Sequence, residues 1–442
     1  MRKFRLLAPA LIAALALGAC STASTSPSPS GSGGGGGGDV PDGDGSIVVT
    51  SLWGGAEETA FQAVLTAFTE KTGIAATYEA NRTDYATVLR TRITGGNPPD
   101  VAIIPGIGTL RSLARDGSLI SMADLGIAQS SIADNYAPGI LDVGVVDGEL
   151  YGVMVKLNSK ATMWYSPDRF TDLGVSAPPA TWDDLLSLTS DIKDAGATPW
   201  SVAAGDSWNL TDIFEVIYLK LNGPEAYDKL FGPDGDWTDP SVQTAIDKML
   251  ELYTADNMDG GVDGALATLF VDGITKVFGT SPSAELFYEG GFVGGIATGA
   301  DVNPDLKGQE GTAIDWFDFP TIDGKGAGLV TYGGDVMAAL VKDKDVAAFM
   351  EYLTTAEAGQ VWAAGGTIIS PIKAVDTSVY PTILIQNEAK QVTTAEAVRF
   401  DGSDLLPGTD LGAVLQSALR GEDMGPILAE FQTATAAAWA SS

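Results

Sequence analysis

The sequence predicts an α/β fold arranged in two lobes, on three observations. From Ser46 onward, strand-like and helix-like segments alternate, the pattern of a parallel sheet covered by helices on both faces. The chain has 442 residues, room for two large lobes at ~100–200 residues per domain. It is 45% hydrophobic and 19% charged, so most of it can bury a core.

Residues 47–52 (Ile-Val-Val-Thr-Ser-Leu) read as a buried strand. Residues 57–72 read as a helix: Phe61, Val64, Leu65 and Phe68 share one face, Glu57 and Glu58 suit its N-terminus, and Gly73 suits its end. Residues 74–80 give a second strand. Residues 84–94 give a second helix with Tyr85, Val88, Leu89 and Ile93 on one side, stopped by Gly95-Gly96-Asn97-Pro98-Pro99. Residues 101–104 give a third strand and 108–116 a third helix. Between about 160 and 320, helical segments mix with Gly, Pro and Asp turns. There, 182–195 and 240–254 read as amphipathic helices and 211–221 as a more evenly apolar one. Residues 329–332 and 336–341 are strand-like, and 343–364 reads as one long helix with Phe349, Tyr352, Leu353 and Trp362 inward.

Composition removes several function classes. Net charge is −32, a surface that repels nucleic acid and anionic lipid headgroups, so no nucleic-acid partner is expected. With no histidine, Ser-His-Asp and Cys-His catalysis and His-ligated zinc are excluded. With one cysteine, so are an internal disulfide and a thiolate metal cluster. Asp42-x-Asp44-Gly45 and Asp256–Gly264 carry Asp/Gly turns without the spacing of a calcium loop, so neither metal nor cofactor is expected.

The first 19 residues read as a targeting segment: Arg2, Lys3 and Arg5, then the apolar run Leu6–Leu17. That run is shorter than the ~20 residues a membrane span needs. Leu17-Gly18-Ala19-Cys20 resembles a bacterial lipobox, which implies cleavage before Cys20 and its lipidation. Residues 20–45 read as the lipidated cysteine and a flexible Ser/Gly/Pro tether. The body is then expected at the outer face of the cell membrane, held there by lipid alone.

In parallel α/β sheets, ligands bind beyond the carboxyl ends of the strands. That places Trp53-Gly54-Gly55, Asn81-Arg82-Thr83-Asp84 and Pro105-Gly106 at a candidate site. Further along stand Asp147-Gly148-Glu149-Leu150-Tyr151-Gly152, Trp164-Tyr165-Ser166-Pro167, Thr181-Trp182-Asp183-Asp184, Tyr332-Gly333-Gly334-Asp335, Ile369-Ser370-Pro371 and Arg399-Phe400-Asp401-Gly402-Ser403-Asp404. In their joint order these stretches resemble the extracellular solute-binding proteins of bacterial ABC importers, family 1, and within it the α-glucoside type. The resemblance spans nearly the whole chain after Cys20; residues 256–300 depart from it.

The resemblance implies a periplasmic-binding-protein-like type II fold, two α/β lobes with a ligand cleft and a hinge between them. Lobe one would be 46–154 plus 327–370 and lobe two 155–326 plus 371–442, with Tyr151–Lys156 as the first crossing. It implies a carbohydrate ligand, ABC permease transmembrane subunits as partners, a monomer, and no catalytic residues.

A sugar needs flat aromatics for its C–H face and fixed polar groups for its hydroxyl rim, and carboxylates accept from two hydroxyls at once. The candidate ligand residues follow. Trp53 is either a stacking platform or a tryptophan packed on lobe one. Glu57 either caps its helix or reaches the ligand. Arg82 and Asp84 form either their own ion pair or a hydroxyl-binding pair. Lys156 lies just past the expected crossing. Asp206, Trp208 and Asp212 lead into an apolar helix, with Trp208 as the lobe-two aromatic. Phe292 follows two glycines, and is either a ligand aromatic or core. Gly334 allows close backbone approach beside Asp335. Asp401 and Asp404 sit in a polar loop, where a structural pair with Arg399 is equally open. Two other readings stay open: a secreted glycoside hydrolase, which needs only a carboxylate pair, and a lipoprotein receptor for a cationic solute such as a polyamine.

Overall fold

The structure, a computed structural model, describes residues 39–81, 85–104, 106–137, 139–176 and 178–441. Cys20, Arg82 and Asp84 lie outside the described residues. The chain lays down β1 (Ser46–Ser51), β2 (Ala75–Ala80) and β3 (Val101–Ile104), then the small hairpin β4 (Val145–Val146) and β5 (Glu149–Leu150). β6 (Gly152–Ser159) and β7 (Thr162–Tyr165) follow almost without a break. β8 (Trp200–Ser201), β9 (Leu286–Glu289), β10 (Asp315–Asp318), β11 (Leu329–Ala339) and β12 (Ala397–Phe400) complete the strands.

Two sheets result. In the first, β1 lies parallel to both β2 and β3. β11 joins antiparallel to β3 through Val336–Ala339, parallel to β12 through Leu329–Tyr332, and antiparallel to β6. The helix Ala56–Thr72 makes the first crossover, and Phe61, Val64, Leu65 and Phe68 are buried as their spacing requires. Gly73 (φ 79°) closes it in the left-handed region that a side chain would resist. Tyr85 binds β1 to β3, its hydroxyl donating to the Thr50 and Ile103 carbonyls at 3.0 and 2.7 Å.

The second sheet runs β10-β7-β9-β8. The helix Trp208–Asn222 is buried on almost every side, because its apolar residues do not keep to one stripe. It packs against the helices Pro240–Leu252 and Leu411–Leu419. One core gathers apolar residues from 47–157 and 332–400. A second gathers them from 161–330 and 406–431, with a satellite cluster around Trp164, Ile274 and Phe287. The fold is two-lobed, and the chain passes between the cores near Lys160, near Thr331 and in 401–405.

Four sequence expectations change. The β6–β11 ladder carries β6 on to Ser159, paired with Tyr332, so the first crossing falls at Lys160 rather than within Tyr151–Lys156. Segments 329–332 and 336–341 are one strand with an irregularity at Asp335/Val336. The long helix over 343–364 is two, Lys344–Leu353 and Ala356–Ala363, because Thr355 caps the second by accepting from the Ala358 N–H. Residues 39–45 of the expected tether lie against the first of these helices: Gly45 N–H donates to Asp345 at 2.7 Å, and Lys344 N–H to the Pro41 carbonyl at 2.9 Å. Among the described residues no helix is long and apolar enough to cross a membrane.

Candidate functional site

Lys156 lies near the end of β6 and Lys160 in the bend just past it, four positions further on. Each gathers a cluster of acids. The Lys156 ammonium pairs with Glu57, from the first turn of the helix after β1, and lies 3.5 Å from Asp335 on β11. Burial works against its charge, but Asp335 and Glu57 outweigh it and hold its pKa above the ordinary lysine value. Asp335 also accepts from the Trp53 indole N–H at 3.0 Å.

Trp53 itself is core. It is 2% exposed and packs edge-on against Phe61 and Trp362, with ring centroids 5.0 and 5.1 Å away. No face remains on which a sugar ring could stack; its part is to fix Asp335. Gly334 also differs from expectation. A Cβ there would stand 2.2 Å from the Lys156 carbonyl, so the glycine admits β6, not a ligand.

The Lys160 ammonium pairs with Asp212 and lies 3.5 Å from Asp401. It also sits 5.1 Å from the Trp208 ring centre and 5.6 Å from that of Phe292. Burial again opposes its charge, and Asp212, Asp401 and Glu289 outweigh it, so it stays ammonium. Glu289 is fully buried, and burial pushes its pKa up to about 7. Burial and then Glu289 push Asp212 up as well. For Asp401, Lys160 and the Ser403 hydroxyl overcome burial and keep it ionised.

The loop 401–404 is shaped from below by Glu215, whose carboxylate accepts from the N–H groups of Gly402 (2.7 Å) and Ser403 (2.8 Å) and from the Tyr227 hydroxyl (2.8 Å). This sets Asp404 beside Asp401 and within the field of Asp335, and crowding followed by Asp401 raises it to about 7. Arg399 is not part of the site: it pairs with Asp228 at 2.6 Å.

Aromatic surface comes from lobe two. Trp208 is 38% exposed and forms a trio with Phe270 and Phe292, with centroids 4.9 to 6.3 Å apart. Phe292 is half-buried. Asp206 spends one oxygen on the Phe270 N–H (2.7 Å) and so places that ring. In the 256–264 stretch, Asp259 is paired with Lys276 at 2.8 Å.

The site thus joins Glu57, Lys156 and Asp335 with Trp208, Asp212, Phe292, Asp401 and Asp404. The sequence reading missed Lys160, Glu289, Glu215 and Phe270. Lys160 carried a usable signal: it is a second lysine four positions after Lys156, at the expected passage between lobes.

Two α/β lobes with acids and aromatic rings gathered where the chain passes between their cores have the build of a receptor for a small solute. The model of the family described as bacterial extracellular solute-binding protein matches residues 54–360, and the chain belongs to that family. It is 31% identical over 367 residues to the osmoprotective compounds-binding protein GgtB of Synechocystis sp., covering 82% of this chain and 85% of that protein. It is 30% identical over 377 residues to the alpha-glucosides-binding periplasmic protein AglE of Rhizobium meliloti, covering 82% and 80%. The solved structure of the bacterial solute receptor AcbH superposes with a TM-score of 0.71 at 18% identity, over 90% of this chain and 99% of that one, a likeness of fold.

Proposed function

We propose that the protein captures a neutral sugar, an oligosaccharide of the α-glucoside kind, by closing its lobes over it, and delivers it intact to the transmembrane subunits of an ABC permease. The observation that carries the reading is the pairing of an exposed indole, Trp208, with open carboxylates: Asp404, and Glu57 and Asp335 at 38% and 29% side-chain exposure. Rings cover C–H faces, and carboxylates accept from hydroxyls. AglE, a relative by sequence, is by its name a binder of alpha-glucosides, which supports the sugar class. The proposed contacts are Trp208, Phe292, Glu57, Lys156, Asp335, Asp401 and Asp404, with Asp206, Asp212 and Trp53 positioning them. A division into two lobes is proposed with it, and the two apolar cores move the expected bounds of 46–154 plus 327–370 against 155–326 plus 371–442: Val155, Leu157, Tyr380, Ala389, Val392 and Phe400 pack in the first core, and Leu329 and Val330 in the second.

The same reading holds the body, as a monomer, at the outer face of the cell membrane through lipid on Cys20 once residues 1–19 are removed. The lipobox-like Leu-Gly-Ala-Cys supports this. Binding breaks no bond. Isothermal titration with maltose, trehalose and longer neutral oligosaccharides tests the function. A saturable heat at micromolar concentration is expected, equivalent to about −8 kcal/mol. Silence across the panel, or steady release of glucose from maltose, sinks the reading.

A further inference from the structure

The surroundings of the Lys160 ammonium have the make-up of a receptor for a ligand cation. Two aromatic rings lie within 6 Å of it, the range in which a ring attracts a cation. Two carboxylates, Asp212 and Asp401, complete the enclosure. The occupant is a side chain of the protein. It is held there by its backbone: Lys160 N–H donates to the Thr331 carbonyl at 2.8 Å, and its own carbonyl accepts from the Tyr288 hydroxyl. Its methylene stem runs against Gly333, where a Cβ would stand 2.9 Å from Lys160 Cε. With 11% of the side chain exposed, no second cation fits beside it.

We propose that Lys160 is a specificity-determining residue: its ammonium fills the one aromatic-and-acid enclosure that we find in the cleft, and thereby denies it to ammonium-bearing solutes. The proposal rests on the reading of the cleft as a site for neutral sugar and adds how so acidic a cleft rejects amines. A protein with net charge −32 draws cations toward itself. With the Lys160 ammonium already between Asp212 and Asp401, an incoming ammonium meets a like charge there, whereas Trp208 keeps exposed surface for C–H groups. Polar solutes without charge are retained and polyamines pass by.

The test is complementation by a fragment. Lys160→Ala removes three methylenes and the ammonium, the atoms of n-propylammonium. Wild type and K160A are titrated with n-propylammonium, n-propanol and putrescine, with thermal melting in parallel. Expected is a gain of at least about tenfold in n-propylammonium affinity in K160A over wild type, worth ~1.4 kcal/mol, with no gain for n-propanol. Saturable binding of either amine by wild type, or a folded K160A with no gain, overturns the proposal. If K160A does not fold unaided, it is refolded in n-propylammonium or in n-propanol. Recovery with the amine alone supports the proposal; recovery with both or with neither overturns it. Sugar titration of the wild type is scored separately, so complementation without any sugar binding would fail the proposed function while leaving the filled enclosure standing.

Discussion

The indole N–H of Trp53 donates to Asp335 at 3.0 Å, joining the loop after β1 to the irregularity in β11 across 282 positions of sequence. A tryptophan at the carboxyl end of the first strand, where a ligand contact is expected, acts through a neighbouring acid instead. Trp53→Phe keeps most of the packing against Phe61 and Trp362 but frees the carboxylate. Expected is a loss of ~1 kcal/mol in a urea melt and a several-fold weaker sugar titration, because Asp335 is no longer fixed. An unchanged affinity would separate Asp335 from the ligand.

Trp208 is the contrasting tryptophan. Being 38% exposed, it keeps surface for a ligand beyond its contacts with Phe270, Phe292 and Lys160. Trp208→Ala should lower the melting temperature, through those lost contacts, and remove a ring contact to the ligand worth ~0.5–1.5 kcal/mol. Sugar affinity then falls by up to about tenfold, read by isothermal titration.

Lys156 holds two acids, so its removal should cost more than its share of the surface suggests. Lys156→Met leaves Glu57 and Asp335 facing each other. Because Glu57 is partly in water, the expected cost is ~1–3 kcal/mol, below the ~3–5 of a fully buried pair. Adding Asp335→Asn should recover part of it, and the double-mutant cycle measures the coupling.

Glu388 supplies a pH dependence. It is 2% exposed, burial pushes it up to about 8, and only the Ser159 N–H, 2.8 Å away, pulls it down. The folded protein therefore holds a proton that the unfolded chain releases near its ordinary value of 4.5. Between those values the folded state binds more protons, so this residue's contribution to stability falls as pH rises toward 8. Asp404 and Glu289 act in the same sense up to about 7. The diagnostic is thus the difference between wild type and Glu388→Gln in melting temperature from pH 5 to 9: the variant should lose less of its stability between pH 5 and about 8, with no further divergence above that.

Gly334→Ala tests whether the glycine is there to admit β6. Its methyl would meet the Lys156 carbonyl at 2.2 Å, backbone that cannot step aside without opening the β6–β11 ladder. A loss of ~1–3 kcal/mol or more is expected, together with weaker sugar binding, since Lys156 moves with the strand. A fully stable variant would show that the ladder is looser there.

Much of the first lobe was legible because its elements are local. The helix Ala56–Thr72 shows its apolar stripe and its terminal glycine within 18 residues, and β1 and β3 read as buried runs. The site was legible in part. Glu57, Trp208 and Asp401 could be picked out because each stands at or beside the end of an element near an expected ligand face, and Asp212 and Asp335 because the sequence reads an element boundary there, although both lie inside one. What Trp53 does was not legible, because its partner lies far along the chain. Glu215 and Glu289 were missed for a related reason: a carboxylate inside an apolar run such as Trp208–Asn222 or Leu286–Glu289 declares its purpose only when the groups it meets, the Gly402 and Ser403 amides or Asp212, come in from elsewhere. The break at Thr354–Thr355 turned on one capping hydroxyl, which periodicity outweighed.

Ser159, the last residue before the chain leaves the first sheet, is gripped on three sides. Its amide meets Glu388, its hydroxyl meets Gln391, and its carbonyl accepts from the Gly291 N–H at 3.0 Å. Glu388 and Gln391 belong to the same helix, Ile383–Thr394. In the proposed closure this point is a pin set in a block: solid parts swing about it, and the strand cannot creep through by a residue without both side chains letting go together.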